Sequence, residues 1–203
     1  MFDDLGTKTA NPKHTIAIFA SGAGSNAEKI IEFLQAKSEA KVGLIVCNKP
    51  AAGVIEIAAN YQIPVLLIEK EQFFRGDSYL PQLKKAQIHF IVLAGFLWKV
   101  PELLIQNFRN RIINIHPALL PKYGGKGMYG LKVHEAVIAA GEKESGITIH
   151  YVDEHYDNGD VILQAKCNVL PADTAATLAE RIHQLEHENF PRVVLECVKN
   201  LPG

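Results

Sequence analysis

Apolar residues along this chain fall in short blocks whose period switches between two and about 3.6. His14-Thr15-Ile16-Ala17-Ile18-Phe19-Ala20 is a β-rich run. After the turn Ser21-Gly22-Ala23-Gly24-Ser25-Asn26, the apolar positions Ile30, Ile31, Phe33 and Leu34 recur at helical spacing. Val42 to Cys47 is a second strand, followed by Asn48-Lys49-Pro50 and a helical stretch from Ala51 to Asn60. Pro64 to Ile68 reads as a strand, Gln72 to Lys85 as a helix and Ile88 to Ala94 as another strand. Strands alternating with helices at this spacing require right-handed crossovers and a mainly parallel sheet covered on both faces. The first half is therefore predicted to be doubly wound and Rossmann-like.

Beyond Gly95 the rhythm changes. Arg111 to His116 is a further strand, Gly124 to Gly130 a glycine-rich loop and Leu131 to Ala140 a helix. The runs Gly146 to Val152 and Val161 to Val169 are joined by the short polar segment Asp153 to Asp160, which suits an antiparallel pair. Thr174 to Val198 places Leu178, Ile182 and Leu185 at helical spacing, with Asp173 or Thr174 as cap and Pro191 expected to kink or restart the helix. The fold class expected is α/β, with one domain over 14–203 and a polar, disordered start at 1–13.

Composition changes this picture little. The chain has 203 residues, 48% of them hydrophobic, enough for one sizeable core. A formal net charge of -1, with no block of like charge, supplies no field for nucleic acid. Cys47, Cys167 and Cys197 form no C-x-x-C pair and suit reduced thiols in a cytoplasmic protein. No apolar run approaches the roughly 18 residues of a membrane span.

Four constellations could carry chemistry. The Ser21–Asn26 turn, at a strand-to-helix junction, could bring backbone N–H groups to a phosphate, or could be a tight turn capped by Ser25 or Asn26. It matches neither a dinucleotide fingerprint in full nor a P-loop. Strand alternation points Asn114 and His116 to one side, and Pro117 ends the ladder, so both emerge at the carboxyl edge where open α/β sheets bind ligands. An amide can donate to a developing oxyanion and an imidazole can carry a proton, although a lone strand-end histidine is more often structural. The acidic loop Asp153 to Asp160 lacks the full calcium-loop spacing, but a carboxylate from it could reach His116 and favour its protonated form. His183-Gln184-Leu185-Glu186-His187 matches a zinc-protease pattern. The short remainder offers only Glu188 and Glu196 as a third, carboxylate ligand, so no metal is expected and Glu186, on the inward stripe, needs another partner.

In order, IAIFASGAGSN, VLAGF, INIHPALLPKY and GITIHYVDEHYDNGDVILQ resemble the phosphoribosylglycinamide formyltransferases, the folate-dependent enzymes of purine synthesis, from Ile16 to the last helix. That resemblance implies transfer of a formyl group from 10-formyltetrahydrofolate to the amine of glycinamide ribonucleotide. It places a catalytic trio on Asn114, His116 and Asp157, and the nucleotide on Gly24, Ser25, Asn26 and Glu186, with His183 near the phosphate. The folate falls on Leu97, Trp98 and Val100 and on Asp153, Glu154 and Asp157. On this reading protonated His116 and Asn114 would stabilise the oxyanion. Leu97-Trp98 departs from the family's usual Met-Arg, and Gly124 to Leu131 is longer than its usual turn. Related transferases acting on methionyl-tRNA or nucleotide sugars, a related hydrolase, and a non-catalytic nucleotide-binding module are the rivals. The tRNA enzyme and the hydrolase normally carry a further domain for which this chain has no room.

Overall fold

The computed structural model describes residues 12–201, so the tail expected to be disordered lies almost wholly outside the described residues. Seven strands form one sheet in the order β3-β2-β1-β4-β5-β6-β7. They are β1 (His14–Ala20), β2 (Ala40–Cys47), β3 (Val65–Leu67), β4 (Phe90–Leu93), β5 (Ile112–His116), β6 (Glu144–Tyr151) and β7 (Val161–Asn168). β1 to β5 are parallel, whereas β6 runs antiparallel to β5 and β7 antiparallel to β6. The expected mixed α/β sheet is present.

Seven helices lie among the described residues: α1 (Ser25–Gln35), α2 (Val54–Asn60), α3 (Lys70–Arg75), α4 (Leu80–Lys85), α5 (Glu102–Asn107), α6 (Leu131–Ala139) and α7 (Ala175–Lys199). Alternation along β1 divides the core. Ile16 and Ile18 pack with Ile30 and Leu34 of α1, Ala58 of α2 and Ile182 and Phe190 of α7. Ala17 and Phe19 pack on the opposite face with Phe73 of α3, Leu83 of α4 and Leu104 of α5. Because both faces are covered, the central strands read as unbroken apolar runs.

One expectation is corrected and two alternatives are narrowed. The helix predicted over Gln72 to Lys85 is two short helices, because Ser78 and Tyr79 between them both take positive φ. Pro191 lies inside a continuous α7. Phe190, Val193 and Val194 around it are buried, and that burial outweighs a helix-interior proline cost of about 3 kcal/mol. Of the two caps considered for α7, Thr174 is the N-cap: its hydroxyl accepts from the Thr177 N–H. Asp173 instead forms a two-pronged ion pair with Arg181.

Candidate active site

The order of winding reverses beside β1: β2 and β3 lie on one side of it, β4 and β5 on the other. The carboxyl ends of β1, β4 and β5 therefore border one crevice, the usual ligand position in an open α/β sheet.

At the end of β1, Gly24 takes φ +87° and serves as the N-cap of α1. A Cβ there would lie 2.8 Å from the Val54 Cα, so the turn needs glycine both for its backbone angle and for its contact with α2. Neither Ser25 nor Asn26 caps α1, contrary to one reading of the sequence. The first-turn amides are thus left without a side-chain partner, at the end of the helix that attracts anions. The Asn26 amide instead reaches α7, where its Nδ2 donates to Glu186 Oε2 at 2.8 Å. Glu186 is 5% exposed, and burial raises its pKa against the opposing pull of Asn26 and His183. His183 is exposed and stacks on His187, with ring centroids 6.4 Å apart. The H-x-x-E-H pattern is divided: Glu186 is held by Asn26, His183 is exposed, and His187 is half-buried with its Nε2 unpartnered; no group of three potential metal ligands forms among the described residues.

Ser21, 2% exposed, ties this turn to the end of β4. Its N–H donates to Gly95 O at 3.1 Å, and its Oγ accepts from the Leu97 N–H at 3.0 Å. In the segment expected to hold folate, the Leu97 side chain is exposed and Trp98 leans on Phe73 and Phe74. Val100 is buried in the core.

Asn114 and His116 share one face of β5, as predicted, and Asp157 comes to both. Asp157 Oδ2 lies 3.6 Å from His116 Nδ1, and its Oδ1 accepts from Asn114 Nδ2 at 3.4 Å. The Gly125 N–H donates to Oδ2 at 2.8 Å, so the glycine-rich loop is fastened to the same carboxylate. Burial works to raise the Asp157 pKa, but His150, His116 and the Gly125 N–H together leave it below the ordinary value. Asp153 turns into its own loop, accepting from His155 N–H and Asn158 Nδ2, and Glu154 is exposed.

Two partners were not assigned from the sequence. The Tyr123 carbonyl lies 2.8 Å from His116 Nε2. A carbonyl can only accept, so Nε2 carries the hydrogen and Nδ1 faces Asp157 as the basic nitrogen. His150, 2% exposed and opposite Asn114 in the ladder, donates from Nδ1 to Tyr151 O at 2.7 Å. Its Nε2 is thereby left to accept from Asn114 Nδ2 at 3.1 Å, which fixes the direction of the amide. The expectation that Asp157 keeps His116 charged is corrected for the ligand-free protein. Burial lowers the His116 pKa, and the raising effects of Asp157 and of Tyr123 O do not offset it. A buried, neutral imidazole thus stands beside a carboxylate and a primary amide, an arrangement that can accept one proton and hold one oxyanion.

Comparison with known proteins follows the same outline. The formyl transferase family model matches residues 14–194. The chain is similar to a chloroplastic phosphoribosylglycinamide formyltransferase of Arabidopsis thaliana, 43% identical over 88% of this chain and 63% of that protein. It is also similar to the phosphoribosylglycinamide formyltransferase of Bacillus subtilis, 38% identical over 90% of this chain and 93% of that one. It spans less than two thirds of the plant relatives, 63% and 59% of their lengths. A crystal structure of phosphoribosylglycinamide formyltransferase from Bacillus halodurans superposes with a TM-score of 0.82 at 36% identity, covering 92% of this chain and 96% of that one.

Proposed function

Since the chain belongs to the formyl transferase family, we propose that it transfers the formyl group of 10-formyltetrahydrofolate to the amine of glycinamide ribonucleotide, a step of purine biosynthesis. The observation that carries this reading is the meeting of Asn114, His116 and Asp157 beside an uncapped helix N-terminus. The open amides of α1 around Gly24, Ser25 and Asn26 take the phosphate, with His183 at its rim and Glu186 toward the ribose. The folate lies along the Leu97 to Val100 backbone and against the Asp153 to Asp157 loop, with its formyl carbon brought to Asn114.

The neutral amine attacks that carbon, and the C=O electron pair moves onto oxygen. Asn114 keeps one Nδ2 hydrogen on His150 and turns the other, which makes only a 3.4 Å bond to Asp157 in the ligand-free protein, onto this oxyanion, while Nδ1 of neutral His116 accepts the proton leaving the amine. Protonation at Nδ1 places a cation 3.6 Å from Asp157 Oδ2, so the carboxylate stabilises His116 most in the state in which it holds the proton. When the intermediate collapses, the bond to folate N10 breaks and the proton passes from His116 to that nitrogen. The products are the formamide and tetrahydrofolate, and no metal takes part in these steps. The three cysteines, all free, are consistent with a cytoplasmic setting. No helix among the described residues is long and apolar enough to cross a membrane.

The test is folate product formation from 10-formyltetrahydrofolate with glycinamide ribonucleotide, run beside amino sugars, nucleotide sugars and water as acceptors. Turnover with the ribonucleotide and not with the others is the expected result. Binding of the folate with transfer only to another acceptor would overturn the substrate assignment.

A further inference from the structure

The His116 tautomer depends on the Tyr123 carbonyl, which sits in the turn that leaves β5. Packing does not fully hold that turn, because a cavity of about 300 Å³ opens against its Leu119, Leu120, Pro121 and Tyr123. Its backbone is held instead from β6 and β7. Thr148, 0% exposed, donates its hydroxyl to Ala118 O at 2.7 Å and accepts from the Leu120 N–H at 3.0 Å. Gln164 Nε2 donates to Leu120 O and to Thr148 Oγ1, both at 2.9 Å. The Thr148 hydroxyl thus uses its one donor and both acceptor positions.

These two side chains stand in a row with the imidazole. His116 is opposite Thr148 in the β5–β6 ladder, and Thr148 is opposite Gln164 in the β6–β7 ladder. Directly opposed residues project from the same face of a sheet. The row therefore runs from the imidazole in the crevice to an exposed edge strand.

We propose that Thr148 and Gln164 form a positioning clamp, which holds the Ala118–Leu120 backbone so that the Tyr123 carbonyl stays on His116 Nε2 and the reactive lone pair stays on Nδ1. Neither residue touches a reacting atom; both act through the turn. The clamp rests on the transfer reaction proposed above for its kinetic consequence, but its effect on the imidazole can be read without any substrate. Thr148→Val keeps the side-chain shape and removes the hydroxyl, leaving Ala118 O and Leu120 N–H unpaired. Gln164→Ala removes the outer arm from an exposed position where folding tolerates the change.

Two measurements decide the matter. In protein labelled with 15N-histidine, the His116 ring of the wild type is expected to give the Nε2–H pattern, and Thr148→Val and Gln164→Ala to mix it with the Nδ1–H form. In turnover, kcat is expected to fall roughly tenfold to a hundredfold for Thr148→Val, the loss that misplacement by about an ångström produces. KM for both substrates should stay within about twofold and Thr148→Ser should restore the rate. The acid limb of kcat/KM should also move to lower pH, because the carbonyl that favours the charged ring has been released. An unchanged His116 ring pattern in both variants overturns the clamp, as does a Thr148→Val protein that loses thermal stability but keeps its kcat at 25 °C. If the wild type transfers no formyl group while the ring patterns shift as described, the reaction assignment fails and the clamp stands.

Discussion

Asn26 of α1 donates to Glu186 of α7 across 160 residues of sequence, joining the candidate phosphate turn to the middle of the last helix. Burial makes ionised Glu186 costly, and Asn26 Oδ1 has no partner of its own. On the proposed function the nucleotide completes this pair, which the empty protein holds at some expense. Because the folded-state pKa of Glu186 is raised, the unfolded state releases this proton at lower pH than the folded state. Stability is lost as pH rises from about 4.5 through the folded value. Glu186→Gln keeps the shape and removes the charge. It should raise the Tm of the ligand-free protein at neutral pH while raising the KM for the nucleotide about tenfold, as expected when a charge-assisted hydrogen bond is lost. Thermal melts and initial rates on the same variant check both halves.

His134 in α6 gives the opposite kind of pH dependence. It is 2% exposed, Nδ1 has no hydrogen-bond partner, and burial with the nearby His183 and His116 lowers its pKa to about 4. Below the ordinary histidine value the unfolded chain takes up a proton that the folded protein refuses, so stability falls as pH drops from 6.5 toward about 4. At about pH 5 the loss from this residue is about 2 kcal/mol, from roughly 1.5 units at 1.36 kcal/mol each. Urea unfolding of wild type and His134→Gln at neutral and acid pH should show the difference between them narrow or reverse on acidification. A constant difference would mean that His134 does not titrate in the unfolding reaction.

What could be seen in the sequence was local. The period of the apolar blocks gave the strands and the doubly wound half, because a parallel strand covered on both faces is apolar throughout. α5 escaped because six residues between Pro101 and Phe108 are too short to show a period. Asn114 and His116 were legible as a strand-end pair, since two-residue spacing fixes a common face. The roles of His150, Tyr123 and Thr148 were not. Pairing His150 with Asn114, or Thr148 with His116, requires the register of β6 against β5, which is set by contacts distant in sequence. The resemblance brought Asp157 to the site; its link to the glycine-rich loop through Gly125 came from the fold.

Gly24 tests the turn itself. Alanine there would have to hold φ at +87° and put its Cβ within 2.8 Å of the Val54 backbone. Strain of about 1–3 kcal/mol is expected from the angle alone, and relief requires the α1 start to shift. Gly24→Ala should lower thermal stability and raise the nucleotide KM by more than tenfold, leaving the folate KM within about twofold because the Leu97 to Val100 segment is elsewhere. Equal weakening of both substrates would instead mean that the damage spreads through Ser21 to the end of β4.

Asp157→Asn separates charge from shape at the centre of the site. The carboxylate is one of two influences that raise the His116 pKa against burial. Free enzyme must carry His116 neutral to accept the proton, so the acid limb of kcat/KM in the wild type should fall below 6.5, the ordinary histidine value. Removing the negative charge lets burial act with less opposition, and the limb should move lower still. The same change removes the stabilisation of His116 after it has taken the proton, so kcat should fall by at least about a hundredfold at the pH optimum. A lower limb with a lower plateau is thus the expected signature. An upward shift of the limb, or wild-type turnover, would take Asp157 out of the proton transfer and leave it as an anchor for the Gly125 loop.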